Sequence, residues 1–322
     1  NKNNNLVFKV NPKKRFLINW VKFILKGISN RNNLRAKMYF AADLYSLVLL
    51  RLIQIPPAKI VYDSREIFSA LGTLQKQKCK QKILAITEKF AIRKIKKIVV
   101  SGELDAEFLT NYFKDKQINY FVVKNLPKEA NIIKSNYLRD RFNIPRDKII
   151  LIYQGVLLAG RGLKPIISAI EHTNRFVLVI VGDGLYKDKI LQVIDRKNFK
   201  QRVFIHEEVN YDKLLNITAS ADIGISLIEP ITFSYELALP NKLFEYVYAG
   251  LPVLVSDLPA MKQFVTENGV GKIVPKTLSP EEIIEALENL TSNLDKFRTT
   301  ISEKKDKFTY QSQSDTLLKL LG

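Results

Sequence analysis

The sequence predicts an α/β protein built from two doubly wound parallel-sheet domains, and three observations carry that prediction. Short, nearly continuous apolar runs alternate with helical segments from Lys59 onward, the pattern of strands buried on both faces. Glycine-bearing loops follow several of these runs, at the edge where an open parallel sheet receives its ligand. A polar, irregular stretch from Asn125 to Pro145, with Pro127 and Pro145 near its ends, divides the alternation into two halves. A chain of 322 residues, 46% of them hydrophobic, can bury two such cores.

The first half opens with residues 13–37, where Phe16, Leu17, Trp20, Val21, Ile24, Leu25 and Ile28 recur at spacings of three and four. That is one helical stripe, and Arg15, Asn19, Lys22 and Lys26 fall mainly off it. Two placements fit the pattern: a helix lying in a lipid headgroup layer, or an amphipathic helix packed on its own domain with solvated lysines. Strand-like runs follow at Lys59 to Tyr62, Lys97 to Ser101 and Tyr120 to Val123, with a helical segment at Lys82 to Ile95. Cations cluster at Lys76, Lys78, Lys80 and Lys82, and again at Arg93, Lys94, Lys96 and Lys97.

Charge separates the halves. The net charge is +19, yet residues 1–125 hold 25 Lys and Arg against 8 Asp and Glu, while the remainder holds 26 against 24. The first half therefore calls for an anionic partner, either nucleic acid or an anionic membrane surface. No run of eighteen apolar residues is present, so the chain is expected to lie on a membrane rather than span one. The sequence begins at Asn1 with no charged, apolar and small-residue leader, and the first domain is expected to be incomplete. A single cysteine, Cys79, excludes an intrachain disulfide framework and a cysteine-rich zinc site. With only His172 and His206, a histidine-clustered metal site or a Ser/His/Asp nucleophile is a poor expectation, and both are read as loop or core side chains.

In the second half the expected order is strand Ile149 to Tyr153, helix Pro165 to His172, strand Phe176 to Val181, helix Leu185 to Asp195 and strand Val203 to Ile205. There follow helix Tyr211 to Ala219, strand Ile223 to Leu227, helix Asn241 to Ala249, strand Val253 to Ser256 and helix Pro280 to Thr291. Ser279, Pro280 and Glu282 form a capping box with proline at the first helical position.

Three loops carry chemistry. The first strand is followed by Gln154 and Gly155, then Gly160, Arg161 and Gly162, where glycine lets the backbone approach a phosphate and Arg161 can add a charge-assisted contact. The second is followed by Gly182, Asp183 and Gly184, read either as a tight turn or as a ligand contact. The third is the run from Ala238 to Val253, in which a helix starts after Pro240 and stops at Gly250. Lys242 and Glu245 share a face of that helix, and Leu243 and Val247 form a packing pair. Placed at the sheet's carboxyl edge, Glu245 can accept hydrogen bonds from both hydroxyls of a ribose.

These pieces, ILIYQGVLLAGRGL (150–163), VIVGDGL (179–185), ADIGISL (221–227) and LPNKLFEYVYAGLPVLVSD (239–257), together resemble the group 1, or GT4-like, glycosyltransferases of GT-B fold. In the first half VYDSREIF (61–68) and VVSGEL (99–104) resemble later N-terminal strands and loops of that family, and residues 308–321 resemble its closing segment. The resemblance implies two Rossmann-like domains facing a cleft. The first, 1–143, would face acceptor and membrane; the second, 144–300, would bind a nucleotide sugar; and 301–322 would be a helix crossing back to the first domain.

The activity implied is retaining, metal-independent transfer of a sugar from a nucleotide sugar to a saccharide or lipid-linked acceptor, with no cofactor and no nucleic-acid partner. Such an enzyme is expected to act in the cytoplasm at the inner face of a bacterial-type cell membrane, in surface polysaccharide or glycolipid synthesis. Glu245 matches the family's ribose-binding glutamate and Arg161 lies where it has a phosphate-binding lysine, while Lys242 falls near the diphosphate. Gly155, Gly182, Asp183, Gly184, Leu239 and Leu243 complete the donor set. The family's partner glutamate lies eight positions before the ribose-binding one, where this chain has Leu237; Glu236, one place away, is the catalytic candidate beside Arg161 and Lys242. Val156 replaces the usual arginine after the first glycine. Arg65, where relatives carry histidine, and Glu66 are the acceptor-side candidates. Two other readings stay open from the residues alone: a basic nucleic-acid-binding module, and a nucleotide-sugar epimerase of the same fold class.

Overall fold

The computed structural model describes residues 16–64 and 77–322, and the chain forms two compact units, 1–123 and 124–322. Arg15, Arg65, Glu66 and Lys76 lie outside the described residues.

The first unit begins with α1 (Phe16–Ser29) and continues β1 (Tyr39–Ala41), α2 (Leu44–Leu52), β2 (Ile60–Asp63), α3 (Lys78–Ala91), β3 (Lys97–Val100), α4 (Glu103–Phe113) and β4 (Asn119–Val122). Its strands form one parallel sheet in the order β1-β2-β3-β4. The core gathers Leu44 and Leu47 of α2, Tyr62, Ile98, Val100 and Leu109. Helix α2 starts where Asp43 accepts the Ser46 N–H at 2.7 Å and Ser46 Oγ accepts the Asp43 N–H at 3.1 Å. This reciprocal cap uses Asp and Ser in place of the more familiar Ser and Glu.

Trp20 of α1 meets Tyr45 of α2 edge-on at 6.1 Å and Gly27 is buried, so one face of the helix packs on the unit. Val21, Leu25 and Ile28 remain exposed on another face, with Lys22 and Lys26 also exposed.

The second unit takes in residues 124–143 as well. Within that stretch lies α5 (Tyr137–Phe142), whose Leu138 is fully buried in the second unit's core. The Tyr137 hydroxyl also meets His206 Nε2 at 2.9 Å. The alternation then runs β5 (Ile149–Gln154), α6 (Leu163–Glu171), β6 (Phe176–Val181), α7 (Lys187–Arg196), β7 (Val203–His206), α8 (Tyr211–Thr218) and β8 (Ile223–Ser226). It closes with α9 (Phe233–Glu236), α10 (Asn241–Tyr248), β9 (Val253–Ser256), α11 (Pro259–Asn268), β10 (Gly271–Val274), α12 (Pro280–Ser292), α13 (Leu294–Lys304) and α14 (Ser314–Leu321).

All strands of the second sheet are parallel, in the order β10-β9-β8-β5-β6-β7. Its unbroken apolar strands follow from burial on both faces: Ile150 and Ile152 of β5 enter one core layer, Leu151 and Tyr153 the other. Each such aliphatic side chain, fully buried, stabilises the fold by about 1.5–3 kcal/mol. Helix α12 begins as its capping box requires, the Glu282 carboxylate accepting the Ser279 N–H at 3.0 Å. The last segment lies on this unit too: Phe308 packs against Phe244 and Phe264, and the Tyr310 N–H donates to the Pro127 carbonyl at 2.7 Å. Gln313 donates to and accepts from the Lys124 backbone, at 3.0 and 2.7 Å. Among the described residues no helix is long and apolar enough to cross a membrane.

Candidate active site

The chain builds β5, β6 and β7 outward, then returns to lay β8 on the other side of β5. The sheet thus reverses direction between β5 and β8, and an open α/β sheet receives its ligand beyond the carboxyl ends of the strands at such a point. Glycine makes the loops there close. Gly162 has φ +78°, and a Cβ on it would lie 1.9 Å from the Leu227 carbonyl oxygen just past β8. Gly182 has φ +141°, and its Cβ would lie 2.2 Å from the Gly155 carbonyl oxygen. The loops after β5, β6 and β8 are therefore packed backbone to backbone.

Across this junction the Arg161 guanidinium lies 4.6 Å from the centre of the Tyr235 ring. Tyr235 is held in α9 by Thr232, which caps the helix and accepts the Tyr235 N–H. Glu236 is the last residue of α9, directly after Tyr235 and partly buried, and Leu237 caps the helix.

Helix α10 brings the other two charged candidates to the same edge. Glu245 is 9% exposed, and its carboxylate accepts a 2.5 Å hydrogen bond from the Gln154 side-chain amide at the end of β5. The Gln154 side-chain carbonyl accepts in turn from Thr218 Oγ1 of α8 at 2.7 Å, so the amide is oriented from both ends. Tyr211 of α8 also acts on the same carboxylate, lowering its pKa. Burial raises the Glu245 pKa, while the bond from Gln154, Tyr211 and the Lys242 charge pull it back. Tyr246 secures the frame: its hydroxyl accepts the Gln154 main-chain N–H at 2.9 Å and donates to the Ile225 carbonyl.

Lys242 is 8% exposed, with its Nζ 3.7 Å from the centre of the Tyr153 ring. The Tyr153 hydroxyl donates to the Val156 carbonyl at 3.0 Å, which fixes that ring. Burial and, after it, the Arg161 charge lower the Lys242 pKa and Glu245 offsets part of this, which leaves it at about 7. Two cations, each against a tyrosine ring, and one carboxylate thus share the junction. Such a set can hold a diphosphate on its cations and ribose hydroxyls on its carboxylate.

The remaining candidates fall elsewhere. Leu243 is fully buried in the core beside Val247, and its N–H donates to the Pro240 carbonyl. Leu239 packs on the edge of that core. Asp183 accepts the Gly184 N–H and pairs with Lys187 at 3.0 Å in the first turn of α7. Among the described residues no three His, Cys, Asp or Glu side chains converge as a metal set. Sequence reasoning named Gln154 in the loop after the first strand without giving it a role, and passed over Tyr153, Thr218, Tyr211 and Tyr235. Gln154 had left a signal, being the one strongly polar side chain in the apolar run of β5.

The family model for glycosyl transferases group 1 matches residues 135–308, more than half the chain and all of this site. The chain belongs to the group 1 glycosyltransferases. The match is to a glycosyltransferase family, not to an epimerase or a nucleic-acid-binding one. Two curated relatives, the chitobiosyldiphosphodolichol beta-mannosyltransferases of Candida albicans and Debaryomyces hansenii, are 31% identical over 114 residues and 30% identical over 135. These stretches make up 34% and 41% of this chain but only 24% and 25% of the relatives, so about a quarter of their length is matched. Sucrose-phosphate synthase from Thermosynechococcus elongatus superimposes with a TM-score of 0.78 at 14% identity, over 97% of this chain and 80% of that one. Anabaena HepE in complex with UDP-glucose gives 0.72 at 14% identity, over 94% and 81%. WaaG, a glycosyltransferase involved in lipopolysaccharide biosynthesis, gives 0.60 at 14% identity, over 93% and 94%. This group 1 glycosyltransferase has the GT-B fold class, with two Rossmann-like parallel-sheet units.

Proposed function

We propose that this group 1 glycosyltransferase moves a hexose from a nucleoside-diphosphate sugar to a lipid-linked saccharide. One observation carries the reading: Glu245, Lys242 and Arg161 gather at the β5/β8 reversal, inside the segment that matches the family. In this reading Glu245 holds the ribose hydroxyls. Lys242 and Arg161 take the diphosphate, and their charge stabilises the leaving group as the glycosidic bond breaks, without a metal ion. Glu236, beside Tyr235, serves the sugar end, and Arg65 and Glu66 the acceptor. The diphosphate-linked lipid in the name of the yeast relatives and the UDP-glucose bound by HepE support this choice of acceptor and donor class. Transfer proceeds with retention, at a membrane surface to which the basic first half is drawn, in assembly of a surface polysaccharide or glycolipid.

A thermal-shift screen of uridine, guanosine, adenosine and thymidine diphosphates and their sugars, run with a chelator, tests the donor side. A cognate donor at a hundred times its dissociation constant stabilises by about 2.7 kcal/mol, a rise of about 5–10 °C for a unit of this size. Incubating that donor with a polyprenyl-diphosphate saccharide should yield a longer saccharide that keeps the donor's anomeric configuration. A flat screen, or donor turnover independent of any acceptor, overturns the proposal.

A further inference from the structure

Helix α3 has two apolar faces. On one side Ala91 and the following Ile92 are buried and Leu84 packs on the same core. On another side Ile83, Ile86 and Phe90, spaced three and four apart, are 64%, 55% and 64% exposed. The helix's single acid, Glu88, is fully buried, where it accepts the Tyr62 hydroxyl at 2.7 Å. The charges it shows to solvent are therefore all positive: Lys78, Lys80, Lys82 and Lys89, with Arg93 and Lys94 exposed just beyond its end. The Arg93 guanidinium lies 4.3 Å from the centre of the Phe90 ring, so cation and apolar surface share one patch.

Such a face selects its partner by two requirements together. A second copy of the same face would cover the apolar side chains but bring lysines against lysines. A nucleic acid would meet the lysines but leave two isoleucines and a phenylalanine against phosphate and water. An anionic lipid surface satisfies both, since phosphates lie at the level of the lysine heads and the acyl boundary lies just below.

We infer that α3 seats this protein on an anionic lipid surface, with Ile83, Ile86 and Phe90 entering the headgroup layer and Lys78, Lys80, Lys82 and Lys89 holding its phosphates. The inference deepens the membrane placement proposed above, on which it rests, by naming the helix that makes the contact, and it is independent of the donor-site reading.

The test is flotation of the full chain with phosphatidylcholine vesicles, plain or containing about one-third phosphatidylglycerol. Wild-type protein should float with the anionic vesicles and not with the neutral ones. Ile83→Ser with Phe90→Ser should weaken binding about tenfold or more with an unchanged melting curve, because both side chains are exposed. Lys82→Gln with Lys89→Gln should weaken it about fivefold per charge. Cys79, the single cysteine, is exposed one turn before Ile83. An environment-sensitive dye attached there should shift to the blue on anionic vesicles only. Nucleotide binding, read in the same samples, should be equal in wild type and both double variants. Vesicle binding without nucleotide binding would overturn the donor reading and leave this inference standing. Failure of the wild type to float, full binding by the serine variant, self-association lost with Phe90→Ser, or displacement by duplex DNA while neutral and anionic vesicles bind alike would each overturn the inference.

Discussion

The Nζ of Lys242 lies 3.7 Å from the centre of the Tyr153 ring, so this ammonium rests on a π face and is closed off from water. A cation there is stabilised by the ring, and by Glu245, less than its burial and the Arg161 charge disfavour it, which brings its pKa to about 7. An arriving diphosphate would supply the missing negative charge.

Donor affinity should therefore fall as pH rises through about 7, and binding at pH 8 should take up a proton. Calorimetry in buffers of different ionisation enthalpy measures that uptake. Lys242→Met should weaken diphosphate binding about tenfold or more at pH 6 and abolish the proton uptake.

The same lysine sets a stability slope of known sign. Its pKa is lowered on folding, so between about 7 and the unfolded value of 10.5 the unfolded chain binds more protons, and stability rises with pH across that window. Lys242→Met should flatten the slope and raise the second unit's melting temperature most at pH 6.

Glu88 has the opposite sign. Burial raises its pKa to about 7, against the lowering effect of the Tyr62 hydrogen bond, and its second oxygen has no partner among the described residues. The folded first unit then binds more protons than the unfolded chain between 4.5 and about 7, so this contribution is lost as pH rises through 7. Glu88→Gln should stabilise the first unit at pH 8 by on the order of 2 kcal/mol, read by denaturant titration.

Gln154 orients the Glu245 carboxylate at 2.5 Å and is itself oriented by Thr218. Gln154→Leu should lower nucleotide affinity about tenfold or more, the scale of one hydrogen bond to a charged group, and Thr218→Val should have a smaller effect in the same direction. Calorimetric titration of both variants at matched folded fraction checks the order.

Gly162→Ala should destabilise the second unit by roughly 3 kcal/mol or more, since a Cβ would meet the Leu227 carbonyl at 1.9 Å in a left-handed backbone. Gly155→Ala meets nothing within 4 Å and should cost about 1–2 kcal/mol, from its backbone conformation alone. Thermal melts of the pair separate the two causes.

How much of this was readable beforehand follows from distance along the chain. Five strands of the second sheet, the Ser279 cap and the Gly250 stop are local, and each announces itself within a few residues, whereas the edge strand β10, four residues opened by Gly271, was passed over. Gln154 acts only through Glu245, 91 positions away, so no window around either shows the pair. Lys242 and Glu245 were legible as donor-edge residues sharing a helix face, but their spacing does not show that the fold buries both and turns one to Tyr153 and the other to Gln154. Leu243 resembled a donor residue by neighbourhood, yet its side chain belongs to the core. In the first half β1 has three residues, too few for a period to show, and α2 hides behind an Asp and Ser cap. The stripe of Ile83, Ile86 and Phe90 was obscured by the second apolar face of the same helix.

The central claim is that Glu245 holds the nucleoside of the donor, and titration of the uridine and guanosine diphosphates into wild type and Glu245→Ala tests it most directly. The account predicts saturable binding of one of them by the wild type and about ten- to a hundredfold weaker binding by the folded variant. Equal affinities for the two proteins, or no diphosphate bound by either, would contradict it.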